Sequence, residues 1–265
     1  MASDHNWTFG IIGGTGMLGG AMARAIINKR AFGPGRLWLS NRSGTAEGFD
    51  GAMITSDAQQ LADMCDVVLL CVPPAAVGSL EITAPDRLVI SVMAGVSLDQ
   101  LQQITGARRV IRAMSSPAAE YGLAYTPWCA RSGVTTTDRA RATALFEVFG
   151  KTDEVTGDEG QIDLFTAMTG PVPGFVAFFA DAMTRFAQDQ GIAPRIADRA
   201  VRQLFLGAGE MMTKGEMTPS EHVQEMIDYA GTTAAGLKAM QASAISDEIA
   251  DGLLAAVAKA RAIAK

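Results

Sequence analysis

The stretch FGIIGGTGMLGGAMARAI, Phe9 to Ile26, decides the fold. An apolar, β-branched run leads into the glycines Gly13, Gly14, Gly16, Gly19 and Gly20, and these lead into a helix-like pattern. Gly14-Thr15-Gly16-Met17-Leu18-Gly19 reads G-x-G-x-x-G. Between a strand and a helix of a βαβ unit, that pattern predicts a dinucleotide-binding loop. Gly14 permits the tight turn, Gly16 lets backbone approach a pyrophosphate, and Gly19 lets helix and strand pack closely. The pyrophosphate is expected on the helix N-terminus, where free N–H groups and the helix dipole favour negative charge.

Working outward, short apolar runs alternate with helical patterns. Thr8–Gly13, Arg36–Asn41, Asp66–Val72, Arg87–Ala94 and Arg109–Met114 read as strands. Their near-continuous Val, Ile and Leu suit parallel strands covered on both faces. Helix starts lie between them: Ser56-Asp57-Ala58-Gln59 and Ser97-Leu98-Asp99-Gln100 both fit the capping box. Thr136–Gly150 reads as an amphipathic helix with a glycine stop. This alternation predicts a Rossmann-type doubly wound α/β sheet over residues 1–157.

Beyond Thr156 the texture changes to long helical patterns rich in Ala, Met and Phe. Phe175, Phe179, Met183 and Phe186 paint one apolar face, and Ile249, Leu253, Leu254 and Val257 another. Thr218-Pro219-Ser220-Glu221 is a capping box with proline at the first helical position. Residues 158–265 are therefore expected to form an all-helical domain. One copy offers a modest core for so much apolar surface. A homodimer or larger homo-oligomer built through these helices is the expectation.

Composition removes several function classes. The 265 residues are 48% hydrophobic and 19% charged, a foldable balance. The net charge of −6 offers no general attraction to nucleic acid or anionic lipid. No apolar run reaches membrane-spanning length, and the polar opening MASDHNWT has no leader pattern. Cys65, Cys71 and Cys129 lack metal-ligand spacing, so no metal is expected, and they read as small buried hydrophobes of a cytoplasmic protein.

The end of the second strand selects the dinucleotide. NAD sites place an acid there to accept from the ribose 2′-OH. This chain places Asn41, Arg42 and Ser43. The planar donor fork of Arg42 suits a 2′-phosphate, and Ser43 adds a hydroxyl donor. The cofactor is expected to be NADP(H). The usual bases of alcohol oxidation are scarce. The two histidines are His5, in the N-terminal tail, and His222, near a helix start, and no lysine lies between Lys151 and Lys214. Reduction of a C=N bond fits better, because a protonated imine is already an electrophile and needs positioning more than proton extraction.

In this order the motifs resemble the pyrroline-5-carboxylate reductase family. Ser40-Asn41-Arg42-Ser43 is similar to its 2′-phosphate loop. Leu88–Leu98, LVISVMAGVSL, is similar to its strand, turn and capped helix beside the nicotinamide. Arg112-Ala113-Met114 resembles its next strand motif, and Ala230–Leu237, AGTTAAGL, its Gly-Gly-Thr-Thr helix start. The resemblance implies an NADPH-using reductase of a small cyclic imine, with a helical domain that dimerises by interleaving. It implies that Val72, Pro73, Ala94 and Gly95 border the cofactor together with Gly14, Thr15, Gly16, Met17 and Leu18. It implies that N–H groups at Gly231, Thr232 and Thr233 cradle a substrate carboxylate, with the Thr233 hydroxyl on the imine nitrogen. That helix start reaches the nicotinamide either from a partner chain or by folding back.

The chain also departs from the family pattern. Its loop, Gly13-Gly14-Thr15-Gly16-Met17-Leu18-Gly19, looks more like that of coenzyme F420-dependent NADP reductases. Thr169–Phe175, TGPVPGF, stands where the family reads Ser-Gly-Ser-Gly-Pro-Ala-Tyr, and Pro171 and Pro173 are expected to break or kink the helix. Asp228 replaces a serine at the carboxylate cradle. Its charge either points away or selects an imine with less negative charge. The alternatives to an imine reductase are an F420- or flavin-coupled NADP oxidoreductase and a non-catalytic NADP(H)-binding regulator.

Overall fold

The apolar runs of the first half pair side by side in one sheet, as shown by a computed structural model that describes residues 6–263. His5 lies outside the described residues. The strands are β1 (Phe9–Ile12), β2 (Leu37–Ser40), β3 (Met53–Thr55), β4 (Val67–Leu70), β5 (Leu88–Ser91), β6 (Arg109–Ala113), β7 (Ala124–Ala130) and β8 (Gly150–Glu154). Helices α1 (Met17–Lys29), α2 (Ala58–Met64), α3 (Leu98–Thr105) and α4 (Thr136–Phe149) connect them. The sheet order is β3-β2-β1-β4-β5-β6-β7-β8. Every pairing is parallel except β6 with β7. The order reverses between β1 and β4, where doubly wound sheets open the crevice that takes a ligand.

The central strands β1, β4 and β5 are apolar because alternate side chains enter two different cores. Phe9, Ile11, Leu39, Leu69 and Ile90 join the core that contains residues of α1 and α4. Ile12, Val68, Leu70 and Val89 join Leu61 of α2 and Leu101 of α3 on the other face. The thiols follow the same logic. Burial pushes Cys65 and Cys71 up to about 12 and Cys129 up to about 11, so all three stay protonated at neutral pH.

Three strands lie outside the sequence expectation. β3 is three residues long, and Pro127 interrupts the apolar pattern of β7. β8, GKTDE, is a charged edge strand, the composition that guards an exposed edge. It begins at Gly150, whose φ of +148° and backbone neighbour Ala124 O, 2.0 Å from where a Cβ would stand, admit only glycine. One cap also moves. Asp57, not Ser56, caps α2, accepting from the N–H groups of Gln59 and Gln60. Its extended φ and ψ allow this, and its carboxylate reaches both donors. The boxes at Ser97 and Thr218 form as expected.

Helices alone follow β8 among the described residues: α5 (Gln161–Met168), α6 (Gly174–Asp189), α7 (Pro194–Lys214), α8 (Pro219–Asp228), α9 (Thr232–Gln241) and α10 (Ile245–Ile263). Pro171 and Pro173 fall in the break between α5 and α6. The chain groups into two units, residues up to 172 with those from 255 onward, and residues 173–254. The strand-to-helix change at 157/158 precedes this packing boundary, because α5 packs on β7 and its residue Ile162 joins Met114 and Cys129 in a small core. In the second unit α6 packs along α7, and α8 along α9. Among the described residues no helix is long and apolar enough to cross a membrane, and no group of three His, Cys, Asp or Glu side chains is placed to hold a metal.

Candidate active site

The carboxyl ends of β1, β2, β4 and β5 carry Gly14–Leu18, Asn41–Ser43, Val72–Pro73 and Ala94–Gly95 to one edge of the sheet. The first of these loops is built by crowding. Gly13 has φ +83° and approaches the loop after β4 so closely that a Cβ would stand 2.4 Å from Cys71 O. The positive φ of the turn therefore falls at Gly13, not at Gly14 as the motif suggests. Gly14 is glycine for space, since its Cβ would meet Ile11 O and Leu39 at 2.9 Å. A Cβ on Gly19 would stand 2.4 Å from Gly13 O, which fits the expected tight packing of α1 on the loop.

Gly16 is the N-cap of α1, with no side-chain cap and no acid in the first turn. It is exposed, and the one neighbour its Cβ would meet is Gly13 O, at 3.3 Å. The N-terminus of α1 thus has no side-chain cap and has room for an anion to approach its first N–H groups. Met17, its first residue, is 83% exposed, and Leu18 is partly buried against the core.

The loop after β2 is held by the Asn41 side chain. Asn41 donates to Thr15 Oγ1 at 3.2 Å and to Thr45 O at 2.8 Å, while its Oδ1 accepts from Gly44 N–H at 2.8 Å and from Ser43 Oγ at 3.1 Å. Its amide ties the loop after β1 to the loop after β2. No local pattern announces the Thr15–Asn41 bond, which spans 26 positions. Arg42 and Ser43 are exposed beside it, and among the described residues Arg42 makes no ion pair. No acid stands between Leu37 and Thr45 to repel a phosphate.

Pro73 is exposed and Val72 half-buried. After β5, Met93, Gly95 and Val96 are buried and Ala94 is partly so. Gly95 turns the chain with φ +75°. Met93 N–H donates to Ser91 Oγ at 3.1 Å. The chain then enters α3, where Leu98 N–H donates to Glu159 Oε1 at 2.8 Å. Glu159 has no motif to mark it, because its partners are distant in sequence.

The remaining predicted residues cluster at the corner between α8 and α9. Asp228 ends α8, exposed, and accepts from Gln224 Nε2 at 2.7 Å. Ala230 adopts φ +57°, a left-handed conformation that costs an alanine about 1–2 kcal/mol. Gly231 is the N-cap of α9 and, like Gly16, offers no side-chain cap and has no acid in the helix's first turn. A Cβ on Gly231 would press on the Tyr229 ring at 3.3 Å. Thr232 and Thr233 stand exposed in that first turn.

Comparison with known proteins finds two family matches along the chain. Residues 8–95 match the family described as NADP oxidoreductase coenzyme F420-dependent, and residues 159–263 match pyrroline-5-carboxylate reductase dimerisation. Pyrroline-5-carboxylate reductase of Vibrio alginolyticus is 31% identical, covering 81% of both chains. That of Synechocystis sp. is 28% identical over 97% of this chain and 98% of its own. The fold superposes on a pyrroline carboxylate reductase of Plasmodium falciparum, solved with NADP bound, with a TM-score of 0.83 at 23% identity, covering 99% of this chain and all of that one.

Proposed function

The chain belongs to the pyrroline-5-carboxylate reductase family, and on that premise we propose that it reduces the C=N bond of pyrroline-5-carboxylate to give proline. NADPH, when bound, supplies the hydride, which adds to the imine carbon while the nitrogen keeps a proton. The observation that carries the reading is the chain-long likeness to reductases of this imine, laid over an open helix start at Gly16. Gly14, Thr15, Gly16, Met17 and Leu18 receive the pyrophosphate. Arg42 and Ser43 receive the 2′-phosphate, and Asn41 holds the loop that presents them. Val72, Pro73, Ala94 and Gly95 border the nicotinamide half.

The open start of α9 takes the substrate carboxylate through the N–H groups of Gly231, Thr232 and Thr233. The Thr233 hydroxyl hydrogen-bonds the ring nitrogen. A threonine hydroxyl is too weak an acid to protonate it alone, so a water relays the proton. Asp228, bound to Gln224, lies beside this cradle and tunes it against excess negative charge. The helical half makes a homodimer or larger homo-oligomer. Three free thiols fit the reducing cytoplasm.

The likeness to the F420-dependent group is confined to residues 8–95, while the helical half matches the reductase dimerisation family. The deciding experiment follows NADPH oxidation by the purified protein with pyrroline-5-carboxylate, beside NADH. Turnover favouring NADPH is expected. NADPH binding without turnover would return the regulator reading, and an absorbance change on titration with the deazaflavin would return the other.

A further inference from the structure

We propose that Glu159, held by Arg112, is a positioning residue that sets the nicotinamide-side loop Met93–Val96; the inference rests on the NADPH-reductase reading. The loop leaves β5 pinned by Ser91 Oγ on Met93 N–H. It ends at α3, whose capping box pairs Ser97 with Gln100 but leaves the Leu98 N–H to find another acceptor. Glu159 Oε1 is that acceptor, at 2.8 Å from 61 positions away. The same oxygen takes Arg112 Nη1 at 3.1 Å.

Arg112 is itself fixed. It stands in β6 opposite Ser91 of β5, so it is level with the start of the loop. Its side chain is 4% exposed, and its other arm pairs with Asp163 in the first turn of α5. Arg261 Nε lies 3.8 Å from the second Asp163 oxygen, so two guanidinium groups face two carboxylates. Ala94 and Leu98 pack on Met114, Cys129 and Ile162 in the small core beneath this cluster. A buried cation with fixed partners holds its neighbours in place, because leaving any of them unpaired is costly. The tie between Arg131 and Asp99, also on α3, is more exposed and holds less tightly. The exit of the loop is thereby tied to the ion cluster, while its entrance is pinned by Ser91, which pairs in the sheet with Arg112. Small errors in the placing of the loop are amplified in a hydride transfer that depends on alignment.

The test uses Glu159→Gln, which keeps an acceptor for Leu98 N–H but removes the charge, and Glu159→Ala, which removes both. NADPH affinity, the fluorescence emission of bound nicotinamide, and kcat with pyrroline-5-carboxylate are measured, with Arg131→Ala as control. Affinity is expected to stay within about twofold, since the phosphate anchors are elsewhere. The kcat is expected to fall about threefold in Glu159→Gln and about tenfold in Glu159→Ala, with a changed emission. If Glu159→Ala does not fold, Glu159→Gln decides. Wild-type kcat and emission in Glu159→Gln, or an equal loss in Arg131→Ala, overturns the proposal. Absence of turnover in the wild-type protein overturns the imine-reductase reading instead, and the emission of bound NADPH then tests the loop alone.

Discussion

Phe9, Phe146 and Phe149 are fully buried in the sheet unit, whereas Phe178 and Phe186 of α6 stand 72% and 67% exposed. In the sheet, β1, β4 and β5 bury side chains on both faces against helices of their own chain. In the helical unit, α6 and α8 have no buried residue at all. Both regions are rich in apolar side chains, so composition alone does not separate them. The first is a finished core. The second is not closed by its own chain, and it falls within residues 159–263, which match the pyrroline-5-carboxylate reductase dimerisation family.

The sharpest way to break this comparison is in the finished half. Gly19→Val puts side-chain atoms against Gly13 O, where no flexible group can yield. We expect loss of NADPH binding by isothermal titration, and binding comparable with wild type would defeat the crowding argument. In the unfinished half, Phe178→Asp with Phe186→Asp places charge on the exposed face of α6. Sedimentation should show monomers that retain NADPH binding; an intact oligomer would mean that this face is not the interface.

Smaller effects sharpen the comparison within the site. Thr233→Ala removes one hydrogen bond realised in the transition state, so kcat should fall about 10–100-fold. Unchanged kcat would remove Thr233 from the chemistry. Arg42→Ala should raise KM for NADPH about tenfold and leave KM for NADH unmoved, as expected for one charge-assisted contact. An equal rise for both cofactors would place Arg42 outside the 2′-phosphate loop's function. The smallest effect is Ala230→Gly. It relieves the left-handed alanine by about 1 kcal/mol and should raise Tm by about 2–4 °C. A lower Tm would show that the corner between α8 and α9 gains nothing from glycine.

Legibility followed the range of the interaction. The G-x-G-x-x-G loop, the strands β1, β2, β4, β5 and β6, and the boxes at Ser97 and Thr218 are written in neighbouring residues, and local reading finds them. β3 is too short to show a period, Pro127 hides β7, and β8 carries the charges of an edge rather than the pattern of a core. In the site, Arg42 stands exposed after β2, where a strand-end cation is expected to meet a 2′-phosphate. Asn41 stands at the same strand end, and its amide bonds Thr15, Ser43 and the backbone of its own loop, which no local pattern shows. Glu159 was not legible, because a lone glutamate before a helix looks solvated until Arg112 and Leu98 are brought to it.

By itself the sequence determined the periodic elements, the glycine-rich turn between β1 and α1 and the absence of an acid directly after β2. These depend on residues within a few positions of one another, where periodicity and turn chemistry act directly. Only the tertiary structure decided that the turn's positive φ falls at Gly13, that Asn41 braces two loops, and that Glu159 and Arg112 clamp the start of α3. Those contacts join residues 26 to 61 positions apart. Which distant groups meet is set by how the sheet orders its strands and by the cost of leaving a buried polar group unpaired, and neither leaves a local trace.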